Sequence, residues 1–398
     1  LPISLTTVDR APDYDANSLI DEPCMDREEF IPVNTPSLDG NEKRYLIECI
    51  DTGWISSEGP FIKRFEEGFA AKMGRKHGIA VSNGSVALDA AAIALNLEPG
   101  DEVIMPAFTI ICCASAVTRV GAVPVLVDAD PLTWNMDVSQ IESKITSRTK
   151  AIMVVHIYGL PVEMDKVLEL AKKHDLKIIE DAAEQHGQHY KGRPVGSFGD
   201  ISCFSFYPNK HITTGEGGMI ATDNAELAER CRSLRNLCFK PGRRFVHDEL
   251  GYNYRMTNIQ AALGVAQLER MDEFVAKKRR IGQLYNKLLS GITSIQLGIP
   301  QTDYAESIYW VYGIVLKEEV PFDAQEAIDR LARASVGARP FFWSMHEQPV
   351  FQKIGLFKDE KYPVAERIAR RGFYIPSGLG LSEEQIKTAA QRLIEILP

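Results

Sequence analysis

The sequence predicts an α/β protein: a large, mostly parallel sheet of seven strands followed by a smaller C-terminal α+β domain. Three observations carry this. Between about residues 75 and 225, short apolar runs alternate with amphipathic helical patterns, as in a parallel sheet covered on both faces. Beyond about residue 258 the alternation gives way to one long helical pattern and then to a mixed region with fewer strands. The chain's 398 residues, 45% of them hydrophobic, suffice to bury the cores of two or three domains.

Taken in order, residues 1–30 are acidic and without periodicity, and read as a surface extension. Residues 31–265 are expected to form the large domain. Its strands are read from GIAVSN, DEVIMPA, VPVLVDAD, AIMVVHIYG, LKIIEDAA, ISCFSFYP and GGMIATDN, and SVALDAAAIALNL and VEMDKVLELAKKHD are two of the helices between them. A helical pattern from Asn258 to Leu289, rich in Ala, Leu, Lys and Arg, leads into the small domain, residues 266–398. There WVYGIVL reads as a strand and EEQIKTAAQRLIEIL as the last helix.

Composition narrows the function. Forty-five Lys and Arg against 54 Asp and Glu give a net charge of −9 with no basic tract, which argues against a nucleic-acid partner. The seven cysteines are odd in number and lack CxxC spacing, so neither a metal site nor a redox site is expected, and a reducing cytoplasm suits them. No apolar run approaches the ~20 residues that span a bilayer, and the first residues lack the basic-then-apolar order of a signal peptide.

Three segments carry chemistry. In VSNGSVALDAAA a strand ends at Asn83-Gly84-Ser85 and a helix begins, an anion site in the making or, as the motif taken alone favours, a plain cap by Ser82 or Ser85. In IIEDAAEQHG, Asp181 stands just past an apolar strand, at the edge where α/β proteins bind ligands. A carboxylate there can keep a heterocyclic nitrogen protonated, or simply cap the next turn. Glu184 and His186 follow.

The third segment, CFSFYPNKHITTGEGGM, delivers Ser205 and then Lys210 ahead of a glycine-rich turn. An amine that attacks a carbonyl must lose its proton, and a partly buried lysine does so more readily than an exposed one. Asn253 and Arg255 in GYNYRMTNIQ, and the pair Arg243-Arg244, are able to reach a phosphate, although isolated residues of these types more often cap or face solvent.

Together these segments, with SLDGNEKRYLIECIDTGWISSEG and ARPFFWSMH, resemble the DegT/DnrJ/EryC1/StrS sugar aminotransferases from about Ile31 to the C-terminus. The resemblance implies the aspartate-aminotransferase (type I) fold and pyridoxal 5′-phosphate as cofactor, with its pyridoxamine form as intermediate. Lys210 would be the covalent anchor and Asp181 the partner of the ring nitrogen. Gly84, Ser85 and Ser205 would hold the phosphate, with Asn253 reaching it from the neighbouring subunit of a homodimer. Glu184 would lie near the phenolic oxygen. Trp54, Ser56, Ser57, Arg243, Arg244 and His346 would contact substrate. Many relatives place an aromatic residue over the cofactor ring where this chain has Ile110, so either Ile110 packs on that face or Phe108 moves in.

The implied reaction takes an amino group from L-glutamate to a nucleotide-linked 4-keto-6-deoxy sugar, in the nearest branch the GDP-linked mannose derivative, for O-antigen or other surface polysaccharide. Two rivals stand beside it. A sugar 3-dehydratase on the same scaffold replaces the anchoring lysine with histidine, and a non-catalytic pyridoxal-phosphate-binding regulator keeps the fold without turnover.

Overall fold

The computed structural model describes residues 30–240 and 242–398. The expected extension lies outside them but for Phe30, as do Pro241 and the side chain of Arg244. All seven apolar runs form strands of one sheet. Across it run His77–Val81, Gly218–Thr222, Ile201–Ser205, Lys177–Asp181, Thr149–Val155, Glu102–Pro106 and Val123–Val127. Of the six pairings four are parallel, and the other two are antiparallel because Gly218–Thr222 runs against both of its neighbours. The central strands are buried along nearly their whole length, which is why they read as continuous apolar runs and not as alternation.

Helices cover both faces. Gly84–Ala94 packs against Ile111–Arg119 on one side, and its small buried residues Ala87, Ala90, Ala91 and Ala92 let it lie close to the strands beneath. On the other side Pro60–Lys72 drives Phe61, Phe65 and Phe69 into a core shared with Phe204 and Phe206. The helix predicted from Asn258 to Leu289 is two helices, Asn258–Leu268 and Met271–Leu289. No glycine or proline marks the break. It arises where the first helix finishes packing on Glu42–Thr52 and Pro60–Lys72 and the second turns to Glu383–Ile396. Glu269 and Arg270 at the break are held by Tyr45, Arg64, Asp39 and Glu273.

This break lies a few residues beyond the 265/266 boundary expected from sequence. The small unit carries an antiparallel sheet of Ile295–Leu297, Tyr312–Leu316, Gly372–Ile375 and Arg339–Pro340, in that order. Ile31 pairs with Val336 and packs in one cluster with Tyr312, Ile314, Phe373 and Ile375 of this sheet. No helix among the described residues is long and apolar enough to cross a membrane.

Candidate active site

The site is built at the carboxyl edge of the sheet. Strand His77–Val81 ends, and the chain enters helix Gly84–Ala94 through Asn83, whose side chain accepts the Val86 N–H at 3.0 Å. The cap is therefore Asn83, and neither Ser82 nor Ser85. The N–H groups of Gly84 and Ser85 then have no acceptor within the helix, and the positive end of its dipole faces the cavity. Position 84 must be glycine because a Cβ there would come within 2.8 Å of the Ser205 Cβ.

Asp181 closes strand Lys177–Asp181 and is buried. Its Oδ1 accepts the Ala183 N–H and its Oδ2 the Cys113 thiol, each at 3.1 Å. One turn later Glu184 accepts the Tyr158 N–H at 2.7 Å. Burial pushes the Glu184 carboxyl up to about 8, against the opposing pull of Lys210.

Lys210 lies in the segment joining the antiparallel neighbours Ile201–Ser205 and Gly218–Thr222. Its Nζ is 3.9 Å from Glu184 Oε1 and 3.8 Å from the centre of the Trp310 ring. The indole N–H donates to the Asn209 carbonyl at 2.8 Å, tying the ring to the lysine's own loop. Burial draws the Lys210 pKa below the ordinary lysine range, with Glu184 and Asp181 opposing. The result is an amine that surrenders its proton more easily than one in water.

Gly84, Ser85, Asp181, Glu184, Ser205 and Lys210 all line one cavity of about 820 Å³. Ile110 lines it too, 39% exposed, whereas Phe108 is fully buried against Tyr158, Phe341 and Phe342. Of the two alternatives for the ring face, the structure therefore offers Ile110. His211, next to the lysine, is off the cavity wall: its Nε2 is 3.1 Å from the Ile308 carbonyl, and burial holds its pKa down to about 3.

The other expected residues lie elsewhere in this chain. Asn253 is exposed on a segment bridged to Asn236. Asn258 fastens the Trp54–Ser57 segment: its side chain donates to the Trp54 carbonyl at 2.7 Å, and its N–H donates to the Ser56 carbonyl at 2.6 Å. Ser57 lines a separate groove of about 680 Å³ with Arg235 and Arg255. Arg243 and Arg244 sit on strand Arg243–His247 of a hairpin, with Arg243 exposed. His346 stands off the cavity wall, buried against Tyr362 with its Nε2 3.0 Å from Glu366.

Sequence reasoning missed Trp310, Tyr254, Phe342 and Tyr374, which complete the wall, and Cys113 behind Asp181. Aromatic residues from four distant stretches carry no shared local signal. Tyr254 lay in GYNYRMTNIQ and Phe342 in ARPFFWSMH, both read for other residues, Trp310 in a segment read as a strand, and Tyr374 in none.

The wall suits a phosphorylated pyridine aldehyde. It presents an amine for the aldehyde and a carboxylate for the ring nitrogen, and at one helix start two N–H groups and two serine hydroxyls for the phosphate.

Comparison with known proteins agrees. Residues 36–394 match the DegT/DnrJ/EryC1/StrS aminotransferase family. The GDP-perosamine synthase of Escherichia coli O157:H7 is 44% identical over 357 residues, 90% of this chain and 96% of that protein. The GDP-perosamine synthase of Caulobacter vibrioides is 44% identical over 92% of this chain and 98% of its own length. The crystal structure of the aminotransferase TlmJ from Streptoalloteichus hindustanus superposes with a TM-score of 0.85 at 29% identity, over 91% of this chain and 97% of that one. From a fold, a cavity and a match that coincide over nearly the whole chain, it follows that this protein belongs to the DegT/DnrJ/EryC1/StrS aminotransferase family and is a pyridoxal-phosphate-dependent sugar aminotransferase.

Proposed function

We propose that the protein transfers an amino group from L-glutamate to C4 of a GDP-linked 4-keto-6-deoxy sugar, GDP-4-keto-6-deoxymannose being the first substrate to test, for surface polysaccharide such as O-antigen. The observation that supports this reading above all is the convergence of Lys210, Asp181 and the Gly84–Ser85 helix start on one cavity, in a chain 40–44% identical to three GDP-perosamine synthases.

In this reading pyridoxal phosphate supplies, when bound, a carbonyl that receives the amino group and a ring that draws electrons from the reacting carbon. Lys210 is its covalent anchor and, once free, the base whose Nζ carries the proton to and from that carbon. Asp181 keeps the ring nitrogen protonated. Gly84, Ser85 and Ser205 hold the phosphate, Glu184 meets the phenolic oxygen, and Ile110 packs on the ring face. Trp310, Phe342 and Tyr374 form the aromatic wall that excludes water from the amine.

Asn253, with Trp54, Ser56, Ser57, Arg243 and Arg244, is assigned to the neighbouring site of a homodimer. In support, Trp54, Ser57, Arg243 and Asn253 do not line their own chain's cavity. His346 is left without a substrate contact, behind the wall. The six described cysteines are free, which suits a cytoplasmic enzyme. The dehydratase rival is not favoured, since lysine and not histidine faces the cavity.

The test is incubation with glutamate and a panel of GDP-, UDP- and dTDP-linked 3-keto and 4-keto sugars, with the product identified by mass and NMR. A 4-amino-4,6-dideoxy sugar on GDP is expected. Amination of a 3-keto sugar alone, or of UDP- or dTDP-linked sugars alone, overturns the assignment.

A further inference from the structure

Cys113 lies in the first turn of helix Ile111–Arg119, fully buried, with its sulfur 3.1 Å from Asp181 Oδ2 and 3.4 Å from Thr109 Oγ1. Nothing in the sugar chemistry asks for a thiol here. Burial holds the Cys113 thiol well above its ordinary pKa, with the charge of Asp181 acting in the same direction. The proton therefore sits on sulfur, and the S–H donates to the carboxylate. Asp181 is then gripped from two sides, Oδ2 by the Cys113 thiol of one helix and Oδ1 by the Ala183 N–H of its own turn. The terminal torsion of a carboxylate is broad and nearly two-fold, so two donors on separate elements fix what the side chain alone leaves free. Each oxygen keeps a second lone pair for another donor.

We propose that Cys113 is a positioning residue for the cofactor: its thiol fixes the Asp181 carboxylate in the orientation that meets the ring nitrogen. This rests on the reading of Asp181 as that nitrogen's partner. The cysteine touches neither cofactor nor substrate and acts only through the aspartate.

The test compares the affinity of apoprotein for pyridoxal phosphate with that for its 1-deaza analogue, in which carbon replaces the ring nitrogen. Wild type, C113A, C113V and C113S are titrated by absorbance. C113A is expected to weaken pyridoxal phosphate by about threefold to tenfold and the deaza analogue by less than about twofold, as the loss of one net hydrogen bond implies. C113S retains a donor and is expected to stay within about twofold of wild type on both ligands. C113V fills the space without a donor and repeats the test should alanine loosen the helix.

Equal losses on both ligands in C113A and C113V overturn the proposal, because that pattern belongs to packing. No loss on either ligand overturns it as well. Wild type binding the two ligands equally overturns the reading of Asp181 itself, and the role of Cys113 with it.

Discussion

Lys210 Nζ and Glu184 Oε1 stand 3.9 Å apart in a site that withdraws both from water, and burial drives their proton affinities toward each other: the carboxyl rises to about 8 and the amine falls below its ordinary range. The carboxyl holds a proton more tightly than it would in water, and the amine less tightly, so the two compete for it more evenly. That is the condition a lysine needs if it is to be an ammonium at one stage of a reaction and a free base at the next.

The pair can be tested with E184Q. Below about pH 8 the wild-type carboxyl is neutral and resembles the amide; above it, the carboxylate stabilises the Lys210 ammonium and slows its attack on an aldehyde. Rates of pyridoxal phosphate capture by apoprotein are expected to coincide for wild type and E184Q at low pH. Above about pH 8 the variant should be the faster. Profiles that superimpose throughout would show that Glu184 does not bear on the amine.

Lys210→Ala removes both anchor and base. Borohydride reduction followed by peptide mapping should tag position 210 in wild type and nothing in the variant. The glutamate half-reaction, followed as 2-oxoglutarate release, should fall by on the order of 10²- to 10⁴-fold. A tag at another residue in wild type would refute the anchor.

Gly84→Ala tests the phosphate cradle. Its new Cβ would lie 2.8 Å from the Ser205 Cβ, so the helix start must move away from the strand end. Overpacking of this kind costs about 1–3 kcal/mol of stability, and cofactor affinity should drop together with the melting temperature. Unchanged affinity in a destabilised protein would place the phosphate elsewhere.

Lys278 gives a pH-dependent contribution to stability. It is buried, with Nζ donating to the Trp310 carbonyl at 2.7 Å and the Ser377 carbonyl at 2.6 Å, and burial lowers its pKa to about 7. The unfolded chain therefore binds the extra proton between about pH 7 and the ordinary lysine value of 10.5, and folding is favoured progressively as pH rises through that window. The melting temperature of wild type minus that of K278M is expected to climb from pH 7 to pH 10. A flat difference would mean that Lys278 titrates as an exposed lysine does.

The sheet was legible because its strands are buried on both faces and each is a run of apolar residues with a turn after it. Asp181, Ser205 and Lys210 were legible for the same reason: they sit immediately beyond such runs, where the carboxyl edge must be. The break at Glu269–Arg270 was not, because it is imposed by two different packing surfaces on a sequence with uniform helical propensity. Nor was the Asn83 cap, since serines on either side offer the same chemistry to the eye. Trp310, Phe342 and Tyr374 reach the cavity from the small unit, and only tertiary structure joins those stretches to the lysine. His346 is a polar residue in a suggestive stretch whose Nε2 lies against Glu366 and whose ring packs edge-on to Tyr362, neighbours that the sequence does not show.

The lysine's loop leaves the sheet at Ser205 and re-enters it at Gly218, and these two residues are themselves a cross-strand pair. Both feet of the loop are thus planted on the same rung, with Trp310 braced against Asn209 between them. A tether mounted this way has a stationary pivot. When the amine lets go of one partner and takes another, the four methylenes of the side chain can carry the travel while the paired feet of the loop hold their rung.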